Sequence, residues 1–418
     1  MKKILFAAFA ATLLAAGCQK TEVIHQVGPT DGSLMSFSTE MSKLTKSTPP
    51  ATPDANSFGM YNLRAQEFKI WAYCDYNDPN TTTNELNTIY DGMANLNIAY
   101  DKSANEDDGT WKPGKEYYWP STGKYLRFFA VSGAGNSTVT PSMTVDENAT
   151  TTSDPKLIIA NYTVNHSSPN TDLMVADFIR QDKSTNNKCV EFNFRHALSK
   201  VQFMFKTESG DTPVFIQSLT VENIKTTGTL TVTENTGNDK EIKPILFAWV
   251  PVDNTKHPFS DDYTEVPSDF PAQSELEPLS PSSGYDNTAL QLTSTATEFA
   301  TWLVLPQEIV TKDDTGAITS GYKVRVTYVI GKRQFEAFFP LYKTDLEKWN
   351  DNQYTKYLVT ITPNKITFEA QAKDWAPYDG DGDNKTGSAE DNDNDNKDDD
   401  IHLQNYSNLP GLKYPKAS

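Results

Sequence analysis

Residues able to do covalent, acid–base or metal chemistry are few in this sequence and poorly grouped. The five histidines stand at 25, 166, 196, 257 and 402, and there is no G-x-S-x-G, no H-E-x-x-H and no Gly-rich phosphate loop followed by Lys. A zinc site needs Cys and His at short paired spacings, and Cys18, Cys74 and Cys189 each stand alone. His196, within Phe194-Arg195-His196-Ala197-Leu198, reads as a hydrogen-bonded core or edge histidine. Cys74 and Cys189 are a candidate disulfide in an oxidising envelope, although their spacing specifies nothing. A glycosidase needs two carboxylates facing each other across a cleft, which no spacing among 55 Asp and Glu reveals. Asp379-Gly380-Asp381-Gly382-Asp383-Asn384 is similar to the start of a calcium loop, yet Glu390 takes the bidentate twelfth place only when counting begins at Asp379. A solvating spacer is the plainer reading. The sequence therefore reads as a non-enzyme with no cofactor and no metal.

Cys18 stands in a different setting. Lys2 and Lys3 precede an apolar run from Ile4 to Ala16, too short to span a bilayer but right for the apolar core of an export signal. The run ends Leu14-Ala15-Ala16-Gly17-Cys18, small residues directly before a thiol, and resembles the lipobox of a bacterial lipoprotein. Residues 1–17 are thus expected to be removed, Cys18 to become the lipidated first residue, and the polar stretch 18–33 to act as a tether. Acyl burial contributes roughly 0.8 kcal/mol per CH₂, so several chains hold a protein on a membrane. Export argues against nucleotide-driven cytoplasmic chemistry. The charge balance, 37 Lys and Arg against 55 Asp and Glu for a net −18, argues against nucleic acid as a partner.

The elements that would position any site are strands. Leu34-Met35-Ser36-Phe37-Ser38-Thr39 alternates, with Met35 and Phe37 on one face, and the Thr/Pro stretch from Thr45 to Pro53 after it cannot join a sheet interior. An isolated strand followed by an exposed linker offers Lys46 to a protease; a plain surface loop is the other reading. Phe68–Tyr73, Leu126–Ala130, Phe192–Phe194, Lys200–Lys206, Tyr322–Tyr328, Tyr357–Ile361 and Ile366–Ala370 repeat the period of two. Helical periodicity is almost absent, Thr344–Trp349 being a short exception. The pattern predicts an all-β chain of antiparallel β-sandwiches. The polar stretch Gln181–Lys188 predicts a border between domains 34–185 and 186–376. From Ala376 to Asp400, Asp, Asn and Gly dominate, which predicts an acidic, disordered tail over 377–418. Within it, Ile401–Tyr406 alternates weakly and reads as a short strand.

Trp111, Tyr117-Tyr118-Trp119-Pro120 and Leu126-Arg127-Phe128-Phe129-Ala130 are similar to the opening landmarks of the fimbrillin (Mfa-like, type V pilin) family of Bacteroidota. Further landmarks follow in order: Asp172–Ala176, Phe194–Val201, Leu303–Gln307, Trp349-Asn350 before Tyr354 and Tyr357, Ile366–Phe368 and Asp374-Trp375. The resemblance implies two tandem transthyretin-like β-sandwich domains in a lipoprotein of the outer membrane. It further implies assembly into surface fimbriae with other pilin subunits. In that mechanism a trypsin-like protease cuts after a basic residue beyond the first strand, here Lys46 or alternatively Arg64. The strand bearing Met35 and Phe37 leaves, and a neighbour's strand fills its place. Ile401, Leu403 and Tyr406 are the candidate donor strand. A surface-anchored lipoprotein that binds host or bacterial glycans or proteins without polymerising is the alternative, and it would display a planar row of exposed aromatics.

Replacing the Cys18 thiol tests the anchor directly. Cys18→Ala protein is expected to leave the detergent phase in Triton X-114 partitioning, and unchanged partitioning would defeat the lipoprotein reading.

Overall fold

The computed structural model describes residues 34–41, 67–76, 85–101, 110–120, 123–145, 151–164, 171–184, 189–208, 212–234, 245–280, 285–343, 345–363 and 365–374. Among these residues the protein is all β, without a helix. The first strands are β1 (Ser36–Met41), β2 (Phe68–Asp75), β3 (Leu96–Asp101), β4 (Thr110–Pro113) and β5 (Tyr125–Ser132). They are followed by β6 (Thr138–Thr144), β7 (Ser153–Thr163), β8 (Met174–Ala176), β9 (Ile179–Gln181) and β10 (Cys189–His196). Eight of these form one sheet in the order β2-β3-β4-β1-β10-β8-β5-β9, and β5 pairs with β2 as well. The sheet therefore returns on itself as a ring in which β1 is one stave.

The period of two lets single strands of this ring serve two cores. Ile70, Ala72 and Cys74 of β2 and Leu126, Phe128 and Ala130 of β5 point inward, where Phe37, Phe68, Trp111, Phe192 and Phe194 fill the ring. Trp71, Phe129 and Val131 point outward and join Leu157 and Ile159 of β7 in the larger core.

The second half supplies β11 (Ser199–Thr207), β12 (Val214–Lys225), β13 (Thr227–Glu234), β14 (Ile245–Pro251), β15 (Lys256–Asp262), β16 (Leu290–Gln291) and β17 (Thr297–Val304). After these come β18 (Gln307–Glu308), β19 (Val310–Lys312), β20 (Ile318–Gly321), β21 (Lys323–Ile330), β22 (Arg333–Pro340), β23 (Lys348–Trp349), β24 (Gln353–Ile361) and β25 (Ile366–Asp374). Sheet β17-β11-β24-β25 lies against sheet β15-β12-β21-β22 as a sandwich. Ring contacts cross between them, Phe259 to Trp302 at 5.5 Å and Phe339 to Phe368 at 5.3 Å between centroids. The β21–β22 hairpin turns through Gly331, whose φ of 59° is the left-handed value a two-residue turn requires.

Sheet pairing crosses the border expected at 185/186 in two places. β10 lies beyond it yet pairs with β1 and β8, and β7 lies before it yet pairs with β13 in the sheet β14-β13-β7-β6. The expected helix at 344–349 is corrected: Lys348–Trp349 is the strand β23, paired with β18, and Leu346 bridges Lys343. Leu346 and Trp349 mimic a helical i, i+3 spacing, but a single turn is too short to sustain a helix without help. Trp349 is instead fully buried, with its Nε1–H donating to the Tyr357 hydroxyl at 3.0 Å.

Buried charges tie the ring to its neighbours. Asp75 at the end of β2 accepts from the Thr152 backbone N–H and from Arg180, and Arg127 lies 3.5 Å away while reaching Glu234 of β13 at 3.2 Å. Asp177 holds Arg195 at 3.0 Å and accepts from the backbone N–H of Ile245 at 3.2 Å. His196 is fully buried, its Nδ1 2.7 Å from Oδ2 of Asp172.

Burial alone would raise the Asp75 carboxyl, but its hydrogen bonds from Thr152 and Arg180 and the charge of Arg127 outweigh burial and hold it below the usual range. A depressed carboxylate contributes stability that is present above the unfolded value of about 4 and is lost as pH falls through the folded value. Asp75→Asn protein is therefore expected to unfold at lower urea than wild type at pH 7, by about 3 kcal/mol or more. That gap should narrow as pH drops below about 4, and a gap constant down to strong acid would contradict the assignment.

Candidate functional site

The first strand occupies a slot inside the ring. β1 runs parallel to β10 in register from Ser36 opposite Cys189 to Met41 opposite Phe194. On its other side it meets β4 antiparallel, Phe37 opposite Trp111, and the Met35 N–H donates to the Tyr117 carbonyl at 2.8 Å. Both flanking strands are themselves paired on their far sides, β4 with β3 and β10 with β8. Taking β1 away would thus leave the β10 ladder unpaired along its length and open the facing side of β4.

Side chains fill the slot as tightly as the backbone does. Met35, Phe37, Ser38 and Thr39 are all buried, Phe37 completely. The Phe37 ring stacks on Phe192 at 6.4 Å and 12°. Phe68 sits edge-on to Phe192 at 5.5 Å and to Trp111 at 4.9 Å, so one aromatic cluster forms the floor. Two polar contacts complete the fit. Trp111 Nε1–H donates to Thr39 Oγ1 at 2.9 Å, and the Cys189 thiol donates to Ser38 Oγ at 3.1 Å.

Met35 and Phe37 are thus the apolar anchors of the slot, on one face of β1. Lys46 and Arg64, between β1 and β2 in the chain, are outside the described residues, and so are Cys18, Asp379–Asn384, Ile401, Leu403 and Tyr406. Cys74 and Cys189 are both buried thiols that are not joined as a disulfide. The candidate pairing would have to join β2 to β10, which are not neighbours in the sheet, and the Cys74 and Cys189 thiols lie instead beside Tyr76 and Ser38. Among the described residues no group of three or more His, Cys, Asp or Glu is placed to hold a metal ion. The exposed aromatic side chains among them are Tyr285 and Phe338, on separate elements rather than in a planar row. Sequence reasoning did not find the roles of Trp111, Ser38, Thr39 and Cys189, since a buried hydroxyl on a six-residue strand looks like any surface Ser or Thr.

A family model described as fimbrillin-like matches residues 62–375. The chain belongs to the fimbrillin-like family. The matched stretch takes in every described strand except β1. Solved structures similar to this fimbrillin-like chain include a fimbrial protein from Bacteroides vulgatus ATCC 8482, with 17% identity and a TM-score of 0.47, covering 75% of this chain and 95% of that one. Another is a fimbrial assembly protein from Parabacteroides distasonis ATCC 8503, with 8% identity and a TM-score of 0.30, covering 76% and 95%. No curated protein matches in sequence. Family membership makes this a structural, non-enzymatic protein of the pilin class, with a cell-surface location and other pilin subunits as partners.

Because Phe37 plugs the ring and β1 covers Cys189, the two are coupled. Phe37→Ala is expected to cost about 3–5 kcal/mol in urea unfolding and to speed maleimide labelling of Cys189. Phe338→Ala, on an exposed position, should change neither. A Cys189 that stays equally protected in Phe37→Ala protein would show that β1 is not its cover.

Proposed function

We propose that this protein is a pilin subunit, exported as a lipoprotein anchored to the outer membrane through Cys18 and assembled into fimbriae by protease-triggered strand exchange. The observation that carries the reading is β1 itself: a six-residue strand whose Phe37, Ser38 and Thr39 are buried in the ring together with Met35 just before it, and which is joined to the rest of the chain through residues 42–66. A cut in that connection by a trypsin-like protease, at Lys46 or alternatively Arg64, leaves β1 held by non-covalent contacts alone. Its departure exposes Phe192, Trp111 and the backbone edges of β4 and β10. An open slot of this kind is costly, because each large apolar side chain returned to water loses about 1.5 to 3 kcal/mol and unpaired edges recruit other strands. A strand from a second subunit relieves both costs at once by β-augmentation. The segment bearing Ile401, Leu403 and Tyr406 is the proposed donor.

Limited trypsin digestion tests this. The first nick is expected near Lys46, before either half of the fold is cut, and nicked protein should form SDS-resistant, heat-sensitive ladders that deletion of residues 401–418 abolishes. If nicked protein stays monomeric with β1 still bound, an anchored adhesin that binds surface glycans or proteins without polymerising becomes the better account.

A further inference from the structure

The slot makes a polar demand as well as an apolar one. Trp111 is fully buried, and its ring is fixed between Phe68 at 4.9 Å and Tyr100 at 5.0 Å. Its Nε1–H finds its acceptor, Thr39 Oγ1, on the very strand that strand exchange would remove. An indole N–H is a donor only and cannot adapt to an apolar neighbour by accepting instead. A replacement strand with Val or Leu at this place would bury that donor without a partner, a penalty that works as discrimination between partners. Cys189 facing Ser38 exerts less selection, since a thiol is a weak donor.

We infer that Trp111 is the specificity-determining residue of the slot, admitting only a strand that reads large apolar, any, large apolar, any, hydrogen-bond acceptor. This deepens the strand-exchange reading and rests on it. Among the described side chains of β1 and the residue before it, the inward places are Met35, Phe37 and Thr39. Ile401-His402-Leu403-Gln404-Asn405 meets the same rule. Ile401 and Leu403 take the apolar places, and the side-chain carbonyl of Asn405 takes that of the Thr39 hydroxyl. Residues two apart share a strand face, so Asn405 rather than Tyr406 lies inward with Ile401 and Leu403. The occupant is therefore Ile401–Asn405 of a second copy, lying parallel to β10 as β1 does. Residues 375–400 span up to roughly 90 Å when extended, enough to reach a neighbouring subunit.

The test uses full-length Cys18→Ser protein carrying Ile401→Asp and Leu403→Asp, which bar its own tail from the slot. It is nicked at Lys46, freed of the β1 fragment in urea and refolded with labelled peptides spanning residues 33–43 or 399–409. Both peptides are expected to bind, with Thr39→Val and Asn405→Leu each weakening binding about 10- to 100-fold, as an unsatisfied buried donor would. In Trp111→Phe protein the same changes should matter less than about 2-fold, since the coupled pair is then broken. Should Trp111→Phe not fold, a Thr39→Ser peptide, which keeps the acceptor, must bind near the native level while Thr39→Val does not. Substituted peptides binding as tightly as native ones would overturn the role of Trp111 while leaving strand exchange standing. Binding of 33–43 without 399–409 would overturn the tail as occupant. If not even 33–43 binds, strand exchange itself fails and takes the inference with it.

Discussion

The ring closes only because one short strand satisfies two edges at once. Without β1, the edge of β10 and the facing side of β4 would present unpaired backbone donors and acceptors to a gap in the ring. The two edges share the task unequally. β10 offers a parallel ladder along all of β1, whereas β4 is four residues long and meets β1 at one register pair, Phe37 opposite Trp111, supplemented by the contacts of Leu34 and Met35 beyond its end. Backbone bonds thus fix β1 along β10, and side chains close the gap toward β4. Phe37 is the residue on which both depend, since its ring stacks on Phe192 of one wall while its backbone faces Trp111 of the other.

A slot that can exchange its strand needs walls that do not collapse when it empties. The ring around the slot is braced from outside. Asp75 links β2 to the start of β7 and, through Arg127, to β13, while Asp177 links β10 to β14 through Arg195 and the Ile245 backbone. Each carboxylate is buried, so each would be destabilising without its partners. With them satisfied, the polar contacts fix the orientation of the ring against the larger core more strictly than apolar packing could. The outward residues of β2 and β5, Trp71 and Phe129, add the apolar part of the same joint.

The sequence made the period of two plain, and with it the all-β class, the inward pairing of Met35 with Phe37 and the alternation of Val201, Phe203 and Phe205. It hid what depends on distant residues. Nothing near Cys189 announces that it lies beside Ser38, 151 positions earlier, in a parallel pairing that no hairpin signal encodes. Alternation also misled at Ser38 and Thr39, where one residue should face water and both are buried, because β1 is enclosed on both faces. At Leu346 and Trp349 a helical spacing arose from two separate burial events rather than from a turn of helix. Trp111 was visible as a landmark of a family, while its demand for an acceptor needed the third dimension.

The same contacts explain why cleavage rather than affinity must start the proposed assembly. A strand tethered to its own slot competes at an effective concentration of about millimolar, with no loss of translational freedom on binding. A donor from another subunit that merely equals β1 in its contacts cannot displace it under that condition. Cutting the connection removes the tether and leaves the described contacts of β1 in place, and the two strands then compete on their sequences. Ile401, Leu403 and Asn405 therefore need not fit better than Met35, Phe37 and Thr39. They need only fit as well, because the severed β1 fragment no longer shares a chain with the slot, while a donor carried by a neighbouring subunit already in the polymer stays close. The direction of exchange then comes from the severed chain, and its fidelity from the one donor, Trp111 Nε1–H, that an ill-matched strand would leave without a partner.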